Sequence, residues 1–492
     1  MKIDPSTCAR RPRTSRAAAL AGAPLLVFGC AVGPDYVPPA PEVPAAWRGE
    51  LPGGAAGGGA DLAAWWSAFD DPRLEDLVRR AVRGNLELAE AWGRWNEARA
   101  ARGLEAAERF PALEAGAELA RGRVSENVLP GTPGSGTTDD FYGAGLSASW
   151  ELDLFGRVRR SVESADAELE ASREDYRDVL RILCAEVATT YVELRAAEAR
   201  LAYGRAGVET QRRTLQLVRD RFETGLVPEL DVAQAERNLA VSRAELPALQ
   251  DERGRALHRL GVLLGLPPGA LAGELAAPED GTRAVSIPAA GGAVALGAPA
   301  DALRRRPDVR RAERELAAQT ARIGVATAEL YPRLSLGGFF SFDSIESDDL
   351  ARSASRSWSL GPSLRWRLFE GGRVRSAIRV EDARAEQALA RYEQTVLLAL
   401  EEVENSIEAY RTERERRAAS TAAASAARES VVLAKELYRT GLSDFQNVLD
   451  AERSLFVQED RLAASEGAVS VNLIALYRAL GGGRNPEPEA EA

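Results

Sequence analysis

The sequence predicts an internally duplicated chain that combines transmembrane β-strands with very long α-helices. Three observations carry this reading. Residues Trp150, Gly156, Arg157, Val158 and Arg159 recur as Trp366, Gly372, Arg373, Val374 and Arg375, 216 positions later, and the same offset maps Thr224-Gly225-Leu226 onto Thr440-Gly441-Leu442 and Ala235-Glu236-Arg237 onto Ala451-Glu452-Arg453. Each copy holds paired segments that alternate apolar and polar residues with period two. Each copy also holds a proline-free helical pattern of about 64 residues, roughly 95 Å at about 1.5 Å per residue. The repeated unit reads strand, strand, long helix, tight turn, helix.

The chain opens with Arg10, Arg11, Arg13 and Arg16, an apolar segment from Ala17 to Phe28, and then Val27-Phe28-Gly29-Cys30. This resembles a bacterial lipoprotein signal, so residues 1–29 are expected to be removed and Cys30 to carry the lipid (diacylglycerol and palmitate). One lipidated cysteine anchors and does not span. Ala31 stands where such signals use Asp for inner-membrane retention, which favours the outer membrane. Residues 30–60 have Pro34, Pro38, Pro39, Pro41 and Pro44 and end in a Gly run, and so read as an extended tether.

Repeat 1 is expected over residues 61–264. Leu62 to Glu108 show helical spacing, with a break at Gly84-Asn85. The barrel hairpin is expected at about 111–154: Leu113 to Leu119 pair with Phe141 to Leu154, where Tyr142, Ala144, Leu146, Ala148, Trp150, Leu152 and Leu154 form one face and Gly143, Gly145, Ser147, Ser149, Glu151 and Asp153 the other. A soluble sandwich would alternate too. A small or charged face and tryptophans on the apolar face favour a wet lumen and a lipid boundary. The long helix at about 159–223 ends at Thr224-Gly225-Leu226, with Gly placed for a left-handed cap. A helix at about 228–264 follows, with Pro228 in its first turn and Glu229 and Asp231 complementing its dipole.

Residues 265–300 form a linker. Repeat 2, residues 301–480, is expected to run through a hairpin at about 332–369 (Leu334 to Phe342 with Trp358 to Leu368), a long helix at about 375–439 and a helix at about 444–480. In the last, Ser443 and Gln446 have capping-box spacing. Residues 481–492 are a tail.

Bulk composition narrows the function. Across 492 residues, 45% are hydrophobic and 28% charged, with a net charge of −11, which excludes a general nucleic-acid binder. Lysine is confined to Lys2 and Lys435, and the helices alternate Glu with Arg. His258 is the single histidine, so His-paired catalysis and His-rich metal sites are excluded; no phosphate loop or nucleophile elbow appears, and no enzyme is expected. Of Cys8, Cys30 and Cys184, the last reads as a small buried apolar residue and no structural disulfide is expected.

Four strands cannot close a barrel, and lipid does not tolerate an open edge. The chain must therefore oligomerise. Two copies would give eight strands and a filled interior, three would give twelve and room for water, and strand arithmetic alone leaves both open.

Cys30-Ala31-Val32-Gly33-Pro34-Asp35-Tyr36, Trp150-Glu151-Leu152-Asp153-Leu154-Phe155-Gly156-Arg157, Arg305-Arg306-Pro307-Asp308, Tyr438-Arg439-Thr440-Gly441 through Leu449-Asp450-Ala451, and Ala479-Leu480-Gly481-Gly482-Gly483 resemble, in order, the TolC/OprM family of outer-membrane channels, in its lipoprotein OprM/NodT-type branch. The resemblance implies a homotrimer with a twelve-stranded β-barrel, four strands per chain, continuous with a periplasmic α-helical barrel. It implies an exit duct for a multidrug-type efflux pump, with a periplasmic adaptor and an inner-membrane RND-type transporter as partners, no nucleic acid, and no cofactor beyond the lipid on Cys30. It also implies a gate at the periplasmic tip. Asp450 matches one gate carboxylate, Asn447 stands at a position that is often Asp, Asp231 aligns with Asn447 in the other copy, and Tyr438 resembles the gate tyrosine. Ser443 replaces an arginine that some members use to hold the closed state. The near-identical turns Thr224-Gly225-Leu226 and Thr440-Gly441-Leu442 are expected to dock the adaptor's helical hairpins. The rival expectation is a non-conducting, structural outer-membrane lipoprotein. Glu151, Asp153, Arg365 and Arg367 have mixed sign and do not specify a cargo.

Overall fold

The computed structural model describes residues 31–49, 62–123, 125–127, 136–275, 286–290 and 296–483. The leader, Cys30 with its expected lipid, and the last residues of the tail lie outside them. A 3-10 turn (Leu62–Phe69) leads into α1 (Pro72–Gly84) and α2 (Leu86–Ala107), then β1 (Ala112–Arg123) and β2 (Thr138–Leu152), the long α3 (Arg157–Glu223) and α4 (Glu229–Leu263). After short α5 (Ala272–Leu275) and α6 (Pro299–Arg305) come α7 (Pro307–Ala328), β3 (Arg333–Ser344), β4 (Arg356–Arg365), α8 (Arg373–Arg439) and α9 (Phe445–Ala479). The duplication is visible in lengths: α3 and α8 both have 67 residues, and α4 and α9 both have 35.

The strands form one antiparallel sheet in the order β1-β2-β3-β4, so the hairpins of the two repeats join edge to edge between β2 and β3. Cross-strand pairing runs Leu119 to Tyr142 and Leu146 to Phe340 to Trp358, and this continuous face also holds Leu113, Leu360 and Leu364. Trp358 is 73% exposed, so this face is apolar and uncovered. The opposite face pairs Glu114 with Ser147, Gly116 with Gly145 and Ser341, and Ser335 with Ser363, with Phe339 its one large apolar member in β3. Both β1 and β4 end the sheet with a free edge.

Two strand ends differ from the sequence expectation. β2 stops at Leu152 and β4 at Arg365, so Trp366 and Leu368 lie beyond the sheet. β3 begins at Arg333, so neither neighbour has a partner further on. At this end Trp366 Nε1 donates to the carbonyl of Leu330 at 3.1 Å, and Trp150 Nε1, within β2, donates to the carbonyl of Arg109 at 2.9 Å. Each tryptophan thus satisfies a carbonyl just past the helix that precedes its own hairpin, an orphan acceptor that the helix cannot serve itself. Gly156 and Gly372 start the long helices with φ of 84° and 87°, a left-handed conformation that turns the chain from strand to helix.

The main core lies where α1, α3, α4, α8 and α9 meet. Trp65 stacks on Tyr477 with ring centroids 5.5 Å apart, over Tyr191, Leu260, Ile407 and Ile474. The break at Gly84-Asn85 is built by Asn85, which caps α2 by accepting from Leu88 N at 2.8 Å and donates to Leu263 O at 2.9 Å. Buried arginines finish α9. Arg306 Nη1 donates to Ala479 O and Arg181 Nη1 to Arg478 O, both at 2.8 Å, so two of its last carbonyls are met by cations. Arg306 is in turn paired with Asp308 at 2.6 Å and Glu402 at 2.7 Å. This is the structural content of the Arg305-Arg306-Pro307-Asp308 segment.

The described tether, residues 31–49, has no helix or strand and is held along the helices. Val32 N donates to Phe155 O at 3.0 Å, Asp35 pairs with Arg160 at 2.6 Å, and Tyr36 donates to Glu313 at 3.0 Å. Further along, Arg48 N and Gly49 N donate to Glu404 at 2.9 and 3.3 Å. The tether therefore runs from the strand–helix junction down to α8 and touches both repeats.

Candidate functional site at the helix tips

At the end away from the sheet, each long helix closes with the same six-residue turn. Leu226 N donates to Arg221 O at 2.9 Å and Gly225 N to Phe222 O at 2.9 Å; Leu442 N donates to Leu437 O at 2.9 Å and Gly441 N to Tyr438 O at 3.1 Å. This paired bonding meets the orphan carbonyls and needs a left-handed residue. Gly225 (φ 70°) and Gly441 (φ 79°) supply it. Open space surrounds the Cβ position at both glycines, and Leu226 and Leu442 are exposed. The tips thus present two matched, uncovered turns.

Beneath the turns, Val208, Leu215, Val218, Ala235, Leu239, Tyr438, Phe445, Val448 and Leu449 form a separate apolar cluster. Tyr438 sits in it with Phe445, ring centroids 5.3 Å apart. Across the repeats, the Arg221 guanidinium lies 4.7 Å from the centre of the Tyr438 ring, and its Nη1 donates to Tyr438 O at 2.8 Å. The Tyr438 hydroxyl is buried and has no hydrogen-bond partner among the described residues. Burial pushes its pKa up, the Asp231 charge adds to this, and Arg221 opposes it. The Asp231 carboxyl is likewise pushed up, first by burial and then by the charge of Asp444, against the pull of Arg221. Tyr438, Asp231, Arg221 and Asp444 therefore form one electrostatic group.

Asp450 and Asn447 stand apart from it. Both are exposed on α9 and bonded within that helix: Gln446 Nε2 donates to Asp450 Oδ1 at 3.0 Å, and Asn447 Nδ2 donates to Ser443 Oγ at 2.9 Å. This corrects the expected capping box. Asp444 is the residue before α9, its side chain caps nothing, and Asn447 occupies the Ser443 hydroxyl. Pro228 likewise precedes α4, which starts at Glu229. Sequence reasoning passed over Arg221 and Asp444. The available signal was a mismatch between copies: Arg221 aligns with Leu437, and Tyr438, 5% exposed, aligns with Phe222, 43% exposed.

A second polar knot ties the same tip. Glu452, buried, accepts from Thr214 Oγ1 at 2.6 Å and pairs with Lys435 at 2.8 Å. Its counterpart one repeat earlier is Arg219 with Glu236 at 2.5 Å, on the surface. Among the described residues no group of His, Cys, Asp and Glu side chains could hold a metal ion, and no helix is long and apolar enough to cross a membrane.

Fold and tips together define an outer-membrane channel component, with a sheet that bares an apolar face at one end and long helices that carry matched turns to the other. Comparison with known proteins agrees. The family described as outer membrane efflux protein matches residues 77–266 and 298–482, one segment in each half. Nodulation protein T of Rhizobium leguminosarum bv. trifolii is 32% identical over 467 residues, covering 95% of this chain and 97% of that protein. The toluene efflux pump outer membrane protein TtgI of Pseudomonas putida is 32% identical over 466 residues, 93% of this chain and 96% of that protein. The solved outer-membrane channel OprN is 40% identical, with a TM-score of 0.85 over 93% of this chain and 100% of that one. The chain belongs to the outer membrane efflux protein family, a family of non-enzymatic transport ducts in the outer membrane.

Proposed function

We propose that three copies of this chain close into a twelve-stranded barrel and a helical tunnel, forming the exit duct of a tripartite efflux pump. The observation that carries this is the open sheet: four strands, two free edges and one uncovered apolar face. An edge in lipid leaves backbone N–H and C=O groups unpaired, each costing several kcal/mol, roughly 2–7 by transfer scales. Edge-to-edge closure by further copies removes that cost. Twelve strands leave a wet lumen, whereas eight are filled by their own side chains.

In this reading solute passes down its gradient, and the tips gate the periplasmic end. A ring of Asp450 carboxylates attracts cations there, and neutral Asn447 makes that attraction weaker than two carboxylate rings would. The turns Thr224-Gly225-Leu226 and Thr440-Gly441-Leu442 meet the adaptor of an inner-membrane RND-type transporter, six near-equivalent turns per trimer. Cys30 carries the lipid. Purified protein in a planar bilayer tests the duct: discrete conductance steps are expected, larger for Asp450→Ala. Silence from both proteins, with the barrel folded, contradicts conduction and leaves a structural lipoprotein. A bulky charge at Gly225 and Gly441 should abolish adaptor crosslinking; intact crosslinking contradicts the docking assignment.

A further inference from the structure

We infer, on the basis of the closure proposed above, that the seam between copies repeats the joint already present inside the chain. In that seam β4 of one copy pairs with β1 of the next, in a register that sets Arg365 and Arg367 against Glu114 and Glu118.

The duplication supplies the register. Trp150 Nε1 donates to Arg109 O and Trp366 Nε1 to Leu330 O, so the hairpins are equivalent, with β4 216 positions after β2 and β3 221 positions after β1. The hairpins obey both shifts: Ala112 opposite Ser149 maps onto Arg333 opposite Arg365, as observed. Between the repeats, Leu152 lies opposite Leu334, Glu151 opposite Ser335 and Ala148 opposite Gly338. Carried forward by the same shifts, this joint places Leu368 opposite Leu113 of the next copy, Arg367 opposite its Glu114 and Leu364 opposite its Ala117. Trp366 and Leu368 thereby gain strand partners that β3 does not reach.

The two edges are complementary in charge. Glu114 and Glu118 on β1 and Arg365 on β4 are exposed on the polar face, with no hydrogen-bond or ion-pair partner among the described residues. Arg367 reaches Glu370 at 3.4 Å and Glu329 at 3.8 Å. Within the sheet Arg365 lies directly opposite Arg333, a like-charge pair that an acidic neighbouring edge relieves. In the inferred register Arg365 faces Gly116, beside which there is open space, and has Glu114 and Glu118 as diagonal neighbours within reach of a long side chain. A slip of one residue would turn the apolar face of β4 onto the acids of β1.

The aromatic residues below the sheet agree. At the internal joint Phe155 stacks on Tyr331, ring centroids 4.7 Å apart. At the open ends Phe110, the equivalent of Tyr331, is 71% exposed, and Phe369, two residues before the position matching Phe155, is 90% exposed. The register sets Phe369 opposite Ala112 of the next copy, two residues from its Phe110, so the seam brings the two bare rings together.

The test uses full-length protein in isolated membranes, with paired cysteines oxidised and linked chains read on a denaturing gel. Leu364→Cys with Ala117→Cys is expected to link chains. Leu364→Cys with Ala115→Cys or with Leu119→Cys is slipped by two residues, too far for a disulfide, and is expected to leave single chains. Linkage through a slipped pair instead of the first overturns the register. Adding Arg365→Glu and Arg367→Glu to the Leu364→Cys, Ala117→Cys protein should abolish linkage, and further adding Glu114→Arg and Glu118→Arg should restore it, which separates lost charge pairing from failure to fold. Undiminished linkage after the first reversal, or no recovery after the second, overturns the ion pairs. Single chains from all three cysteine pairs contradict closure itself, and a linked series that stops at two keeps the register while contradicting three copies.

Discussion

Arg306 donates its Nη1 to the carbonyl of Ala479 at 2.8 Å, joining the segment before α7 to the last turn of α9. Arg306 is 3% exposed and is neutralised by Asp308 and Glu402. Removing one partner of a buried pair strands the others, at a cost of about 3–5 kcal/mol. Arg306→Ala is therefore expected to lower the denaturant midpoint sharply, and a midpoint within error of wild type would show that the network carries little.

The same network sets an acid limit. Burial alone would raise the carboxyls of Asp308 and Glu402, but Arg306, by hydrogen bond and charge, holds both below their ordinary values of 3.8 and 4.5. A lowered carboxyl contributes stability that is complete above its unfolded value and lost as pH falls through its folded value. Thermal melting should be flat in this contribution above about pH 5 and fall below about pH 4. Arg306→Ala should flatten that acid slope, and an unchanged slope would assign it elsewhere.

The two repeats offer a matched pair at the tips. Lys435 and Arg219 occupy equivalent positions, yet Glu452 is 4% exposed and Glu236 lies in water. Lys435→Met should cost ~2 kcal/mol, less than a fully buried pair because Lys435 keeps some solvent contact. Arg219→Met should cost ~0–1 kcal/mol. Equal losses in chemical denaturation would contradict the burial difference.

Cys184 tests the core between α3 and its neighbours. It is 1% exposed, and burial pushes its thiol up to about 12. A maleimide should therefore label it only in denaturant, since neither access nor thiolate is available in the folded protein. Rapid labelling of native protein would show that this core opens.

Much of the architecture was legible because it rests on local patterns. Period-two alternation through Trp150 and Trp358 marks strands with one apolar and one polar face, and Gly225 and Gly441 mark helix ends that require positive φ. Contacts between distant segments leave no such pattern. Tyr36 reaches Glu313 across 277 residues, and nothing near either residue signals it. Trp366 continues the alternation of β4, but β3 begins at Arg333, opposite Arg365, so the pairing runs out before Trp366 is reached. Ser443 has the right spacing for a cap and loses its hydroxyl to Asn447. Arg221 reads as an ordinary basic residue of a last helical turn until the fold brings the end of α8 to it, with Tyr438 against its guanidinium.

Closure depends on the two free edges of the sheet, β1 and β4. The most direct measurement is the native mass of the detergent-extracted particle after cysteines placed along β1 and β4 have been oxidised. Closure by three copies predicts disulfides between chains and a covalent series that stops at three. A series that stops at two, runs on without limit, or leaves single chains would contradict it.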